Sequence, residues 1–256
     1  MLQIADAVAC EDTRHTQALL RAYGIDKPAG AWLAVHQHNE SSAAEAVLGR
    51  LRAGQRVVYA SDAGTPAVSD PGARLVAAVQ ANGVRVVPLP GASSVTALLS
   101  VAGAVSDEPA FVFAGFLPSK AGEREAALQQ LAQEPRAVVL LEAPHRIEAL
   151  ARALAALGER PITVGRELTK QFEDVARLTC AQLAAWLAAE PKRAHGEFAL
   201  LLHPQAQAPG AEEGLRVLKL LLAELPVKSA VKLAAEITGA PRNELYDAAL
   251  SLKKGS

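Results

Sequence analysis

The chain of 256 residues has only two cysteines, Cys10 and Cys180, so no disulfide framework holds it and a reducing cytoplasm is the expected setting. Aromatic residues make up 4% of the chain, too few for a fold built on ring packing. No apolar run approaches bilayer length, and the N-terminus lacks a basic-then-apolar leader, so no membrane partner is expected. The formal net charge is −1, which excludes a global attraction to polyanions; any nucleic acid has to be met by a local patch. Metal ligands are also scarce. His36 and His38 share a strand face, but no cysteine or carboxylate cluster completes a coordination set, and no metal is expected.

What is present is apolar and small. Half the residues are hydrophobic, mainly Ala, Leu and Val, as in an α/β protein with small-residue helices. Short apolar runs predict strands at Ala7–Cys10, Trp32–His36, Arg56–Ser61, Arg85–Leu89, Ala110–Gly115, Ala137–Glu142, Ile162–Arg166, Asp174–Thr179 and Glu197–His203. Helices are predicted between them at Thr13–Tyr23, Ser41–Ala53, Pro71–Asn82, Ser93–Ala102, Glu123–Gln133, His145–Leu157 and Ala181–Ala189. Gly83, Gly103 and Gly158 stand where left-handed helix ends belong. The first half reads as parallel βαβ units. The shorter spacing around Arg166–Thr179 suits antiparallel pairing.

A Pro/Gln/Ala linker begins at His203-Pro204, and beyond it only helices are predicted, at Glu212–Glu224, Val227–Thr238 and Arg242–Leu252. Leu233, Ala234, Ile237, Leu245 and Leu250 are the expected core of this helix-turn-helix-like tail. From Leu215 onward seven basic side chains face four acidic ones, so the basic character of the chain is concentrated here.

Chemistry is expected at strand-to-helix turns, because open α/β sheets bind ligands at the carboxyl ends of their strands. Ser61-Asp62-Ala63-Gly64-Thr65-Pro66 follows a β-branched strand and runs into a second turn, Ser69-Asp70-Pro71-Gly72. Gly64 permits close backbone approach, and Asp70 is read as a cap for the helix opened by Pro71. Pro88–Ser94 is a comparable turn, where Ser93 caps a helix whose N-terminus suits an anion or carboxylate. Cys10 is read as a packing residue and Cys180 as a loop or helix-start residue.

Several motifs in order carry a resemblance. Cys10–Thr16, His38-Asn39-Glu40, Ser61–Pro66 with Ser69–Gly72, and Pro88–Gly91 are followed by Gly115–Lys120, Glu142–Arg146, Arg166–Lys170 and Gly196-Glu197. From Ala5 to about Leu252 the chain resembles the bacterial small-subunit ribosomal RNA 2′-O-methyltransferases of the tetrapyrrole-methylase superfamily. The resemblance implies a tetrapyrrole-methylase-like α/β fold: residues 1–115 and 116–204 as two α/β domains, a linker at 205–211 and a helical domain at 212–256. It also implies S-adenosylmethionine in the cleft between the α/β domains, and a homodimer. Ala63, Gly64 and Thr65, flanked by Asp62 and Pro66, would approach the cofactor, and Ser93 and Ser94 would face its methionine or ribose end. Leu141, Glu142, Gly196 and Glu197 would close over the adenine and sulfonium. The resembled family opens with a strand and a Gly/Pro-bearing loop that this sequence does not contain, so a sheet short of one strand is expected.

The implied reaction methylates a cytidine of 16S ribosomal RNA near the decoding centre of the 30S subunit. Methyl transfer from a sulfonium needs in-line positioning, worth about 7–11 kcal/mol. A base beside the ribose hydroxyl adds roughly 10²–10⁴-fold. Glu11, Asp12, Glu142, Glu167 and Lys170 are the candidates, and the sequence does not choose among them. Arg14, Lys120, Arg146 and Arg166 suit RNA phosphates, as do Lys228, Lys232 and Arg242 in the tail. Glu11/Arg14 and Glu142/Arg146 can instead be structural ion pairs. Two alternatives stand beside this reading: a corrin- or porphyrin-precursor methyltransferase, and a helix-turn-helix regulator with an α/β ligand-binding domain.

Overall fold

In the computed structural model, residues 1–36, 39–62, 64–105, 110–205 and 211–254 are described. The first sheet is parallel, with β1 (Ala7–Cys10) between β2 (Trp32–Ala34) and β3 (Val57–Ala60). Its central place explains why every residue of β1 is buried. Three helices return the chain across this sheet: α1 (Thr13–Ala22), α2 (Glu40–Arg52) and α3 (Ala73–Ala81). Asp12 starts α1 by accepting the Arg14 backbone N–H at 2.8 Å. Val47 and Leu48 of α2 meet Leu75 and Val79 of α3 over Ala9 and Val35, a small aliphatic core.

One expected strand is missing. Arg85–Leu89 forms no strand, and Val87 is 52% exposed. The segment has the composition of a strand, but among the described residues it pairs with no neighbour, and a ladder needs two segments.

The second sheet has the order β4-β5-β8-β6-β7, from β4 (Phe111–Phe116), β5 (Ala137–Glu142), β6 (Pro161–Arg166), β7 (Asp174–Thr179) and β8 (Phe198–Leu202). β4 and β5 are parallel; the other pairs are antiparallel, as the short spacing after Arg166 requires. The two-residue period of the strands divides its side chains cleanly. Val138, Leu140, Leu200 and Leu202 pack beneath α6 (Ile147–Leu154) and α7 (Leu183–Ala189), while α5 (Ala121–Ala132) adds Leu128. Ala137, Val139, Ala199 and Leu201 meet Val95, Leu98 and Ala102 of α4 (Ser94–Ala102) on the opposite face. Thus α4 and β4, which precede most of this sheet in the chain, are layers of it.

Three buried polar side chains lock one end of the sheet. Arg160 donates to the carbonyls of Leu131, Glu134 and His203 at 2.8–3.1 Å, so its charge is met by three backbone dipoles. Thr163 Oγ1 of β6 and Nε2 of His203, just after β8, lie 2.8 Å apart. Cys10 and Cys180 are both buried and free, and Cys180 opens the turn leading into α7.

The tail forms α8 (Ala211–Glu224), α9 (Val227–Thr238) and α10 (Arg242–Lys254), packed mainly on one another. Their core is Leu218, Ala230, Val231, Ala234, Ala240, Leu245 and Ala249. Ala234 and Leu245 were expected there; Leu233, Ile237 and Leu250 are instead exposed. The inward face of α9 runs through 230, 231 and 234, and Leu233 lies about 100° around the helix from Ala234. Among the described residues no helix is long and apolar enough to cross a membrane, and no group of His, Cys, Asp and Glu is arranged to hold a metal.

Candidate active site

The strand ends of the two sheets face a shared cavity of about 470 Å³, within the size range of small-molecule sites. One wall comes from the turns after β3 and before α4, with Gly64, Thr65, Ser69, Asp70, Ser93 and Ser94. The other comes from the second sheet: Leu141 and Glu142 end β5, Gly165 lies near the end of β6, and Glu197 leads into Phe198 and Ala199 at the start of β8. Phe116, Val95 and Leu168 make part of the lining apolar.

The first wall is a tightly wound loop. Gly64, Ala67, Ser69 and Gly72 all have positive φ, and two of these are residues for which that conformation is costly. Tyr59 fixes the far end by donating its hydroxyl to the Pro71 carbonyl at 2.7 Å. A Cβ on Gly72 would stand 2.7 Å from the Tyr59 ring, so only glycine fits between. The sequence reading gave Asp70 the cap of α3, and the structure corrects this. Gly72 is the N-cap, and its N–H donates to Glu40 Oε1 at 2.6 Å. Asp70 lies two residues too early to cap, and its half-buried side chain lines the cavity instead. Ser93 does occupy the N-cap of α4, but its hydroxyl makes no capping bond. Thr65 Oγ1 donates to the Ala92 carbonyl at 3.3 Å and ties the two turns together.

The second wall is knit by charge. Glu167 accepts the Glu197 N–H at 2.8 Å, and Lys170 Nζ bridges Glu167 Oε1 at 3.0 Å and Glu197 Oε2 at 2.8 Å. The Glu197 N–H, followed by Lys170, holds the Glu167 carboxyl below its ordinary range. Burial works against the Lys170 charge, but its bonds to the two glutamates outweigh it and raise its pKa. A Cβ on Gly196 would fall 2.5 Å from Glu167 Cγ, so glycine is needed where this triad closes. Glu142, almost fully buried, forms an ion pair with Arg146 at 3.1 Å and accepts the Ala143 N–H at 2.9 Å.

Of the expected cofactor residues, Gly64, Thr65, Ser93, Ser94, Leu141, Glu142 and Glu197 line the cavity; Asp62, Pro66 and Gly196 do not. Ala63 and His38 lie outside the described residues. Among the base candidates, Glu142, Glu167 and Lys170 line it, while Glu11 lies behind, accepting the Asp62 N–H at 3.1 Å. Asp12 sits at the start of α1, bonded to Arg14, so Arg14 pairs with Asp12 and not with Glu11. Lys120 pairs with Glu123 at 3.0 Å, and Arg166 faces Asp174 at 3.9 Å. Arg146 is engaged by Glu142 and the Leu117 carbonyl. Lys228, Lys232 and Arg242 are exposed on the helical tail.

Sequence reasoning missed Asp70, His145, Phe116 and Leu168 as lining residues. Asp70 is electrostatically distinctive. Burial, followed by the nearby Glu11, Glu197 and Asp62 charges, pushes its carboxyl up to about 6.

Two unlike sheets with a cleft at their strand ends define the class. Residues 1–184 match the family of Tetrapyrrole (Corrin/Porphyrin) Methylases, and residues 208–253 match the RsmI C-terminal HTH domain. A solved cobalt precorrin-4 methyltransferase shares the fold, with a TM-score of 0.54 and 21% identity over 79% of this chain and 85% of the other. The methyltransferase CobJ is similar, at 0.53 and 20% over 79% and 84%. Within that class the chain belongs to the ribosomal RNA small subunit methyltransferase I family. It is 46% identical to the Pseudomonas aeruginosa member over 95% of this chain and 86% of that one, and 42% identical to the Escherichia coli O157:H7 member over 98% and 87%.

Proposed function

We propose that the protein transfers the methyl group of S-adenosylmethionine to the ribose 2′-hydroxyl of a cytidine in 16S ribosomal RNA, near the decoding centre of the 30S subunit. The observation that carries this reading is the pairing of a tetrapyrrole-methylase cleft with the helical tail that the RNA-methyltransferase relatives share. That tail favours RNA over a corrin or porphyrin precursor, and the catalytic cleft speaks against a regulator.

The lining suits the cofactor chemically. Leu141, Leu168, Phe116 and Val95 offer an apolar wall to an adenine ring, and Thr65, Ser93 and Ser94 offer hydroxyls to its polar parts. Asp70, Glu142, Glu167 and Glu197 outnumber the one lysine, so the cavity attracts a sulfonium cation and holds its neutral thioether product less tightly. The bound sulfonium supplies an electrophilic methyl group. The protein's part is to hold the ribose oxygen in line, exclude water and accept a proton. Gly64 and Thr65, with Asp62, Ala63 and Pro66 around them, form the cofactor turn in this reading, while Gly196 gives Glu197 its place.

RNA phosphates are assigned to exposed basic groups, foremost Lys228, Lys232 and Arg242 and then Arg14 and Lys120. Arg14, Lys120 and Lys232 each pair with a carboxylate yet stay largely exposed, whereas Arg146 and Arg166 are mostly covered in theirs. A cytoplasmic homodimer completes the proposal, with two α/β units, a linker at 205–211 and a helical unit at 212–256; the boundary expected at 115/116 moves to before α4, because α4 and β4 belong to the second sheet. Incubating the protein with methyl-labelled S-adenosylmethionine and unmethylated 30S subunits, naked 16S RNA or a porphyrin precursor tests it. Label on a cytidine ribose is expected. Label only in the tetrapyrrole, or none at all, overturns it.

A further inference from the structure

We infer that Asp70 is the general base that takes the proton from the acceptor hydroxyl during methyl transfer, an inference that rests on the function proposed above. Elimination leads to it first. Each lining acid or base named from the sequence is already engaged: Glu142 by Arg146 and the Ala143 N–H, Glu167 by Lys170 and the Glu197 N–H, and Lys170 by two carboxylates. Protonating or deprotonating any of these breaks an interaction that shapes the wall. Asp70 alone among the lining acids has no hydrogen bond or ion pair among the described residues, and it is half-buried.

Its mounting points the same way. The next residue, Pro71, is held by the Tyr59 hydroxyl, and the one after, Gly72, by the buried Glu40 carboxylate. Ser69, just before it, is in the left-handed region at φ 63° and lies against Gly115 of β4. The turn is therefore fixed on both sides of Asp70 while its own carboxylate stays unbonded. Such an arrangement keeps a reactive group available at a defined place.

The charges facing Asp70 tune it. Burial raises the carboxyl most, and Glu11 after β1, Glu197 before β8 and Asp62 after β3 raise it further. Across the cavity lie Glu142, Glu167 and Lys170, mutually or locally neutralised, and the exposed His145. A carboxylate that ionises near pH 6 is mostly charged at neutral pH and still a stronger base than an ordinary aspartate, the compromise that general-base catalysis favours. In the step itself, the ribose oxygen forms a C–O bond to the methyl carbon as the S–C bond breaks. That electron pair stays on sulfur, which becomes a neutral thioether, and the hydroxyl proton passes to the Asp70 carboxylate.

The test uses the full-length protein, its D70N, D70E and H145Q variants, and unmethylated 30S subunits. Asparagine matches the shape of a protonated aspartate, so D70N is expected to fold and to bind S-adenosylhomocysteine in calorimetry within a few-fold of the parent. Its kcat should fall roughly 10²–10⁴-fold, and the acid limb of the parent's kcat profile near pH 6 should vanish. That limb should remain in D70E, with reduced kcat, and in H145Q. Carboxyl ¹³C NMR of the parent should show a resonance titrating near pH 6 that is missing from D70N. The inference is overturned if D70N keeps kcat within a few-fold, or if the limb persists in D70N and disappears in H145Q. A parent that binds the cofactor analogue but methylates no RNA contradicts the proposed function itself, and the inference with it.

Discussion

The sheets on the two sides of the cavity differ sharply in how well they are packed. In the five-stranded sheet, β8 is buried along its whole length and β5 nearly so, with α4 on one face and α5–α7 on the other. In the three-stranded sheet only β1 is buried throughout; β3 is half-covered and residues 85–90 lie exposed. The cofactor wall of the first is a loop with four left-handed residues, whereas the second contributes strand ends and a charge-knit turn. One side is a stiff platform. The other is a shaped loop held by a few specific bonds, and local openings concentrate in such poorly covered segments.

The largest expected effect breaks the platform. L200A removes a fully buried side chain at the centre of the five-stranded sheet and should cost roughly 2–5 kcal/mol. V87S, on the exposed segment that joins neither sheet, should stay within about 0.5 kcal/mol. Urea unfolding of both variants checks this, and equal losses would abolish the distinction between the sheets. Next comes the loop. E40A leaves the buried Gly72 N–H without its acceptor and should cost about 1–3 kcal/mol. Affinity for S-adenosylhomocysteine should fall along with stability, because the turn bearing Asp70 loosens; unchanged affinity would detach Glu40 from the site.

The smallest effect concerns pH. The folded state holds the Asp70 carboxyl above its unfolded range, so ionising it opposes folding as pH rises from about 4 through 6. D70N should therefore melt a little higher than the parent at pH 7.5, with the gap shrinking as pH falls through 6 toward 4, where the folded parent's carboxyl is already protonated. Thermal unfolding at the two pH values reads this directly. A gap that grows on acidification would reverse the sign of the argument.

Legibility in the sequence follows the same divide. β5 matched its expected span at Ala137–Glu142 because the apolar run Ala137–Leu141, between Pro135 and Pro144, has few other ways to be buried. Arg85–Leu89 failed because strand formation depends on a neighbour, which local composition does not encode. Leu233 and Ile237 were misplaced because tertiary contact selects which of two overlapping apolar stripes on α9 turns inward. At the site, the turns were legible from Gly64 and from Ser93-Ser94, since strand-to-helix junctions announce ligand loops. Asp70 was misread because an aspartate ahead of Pro-Gly resembles a helix cap. The acceptor at the start of that helix, Glu40, lies 32 residues before Gly72, a separation at which no local pattern operates.

The central claim is that one ligand joins these two unlike walls. Hydrogen–deuterium exchange of the full-length protein with and without S-adenosylhomocysteine tests it most directly. Added protection is expected on both sides, at residues 64–72 and 92–95 and at residues 165–170 and 196–199, with the larger change in the first pair because that wall starts less protected. Protection on one wall only, or at neither, would contradict a cofactor site shared between the sheets.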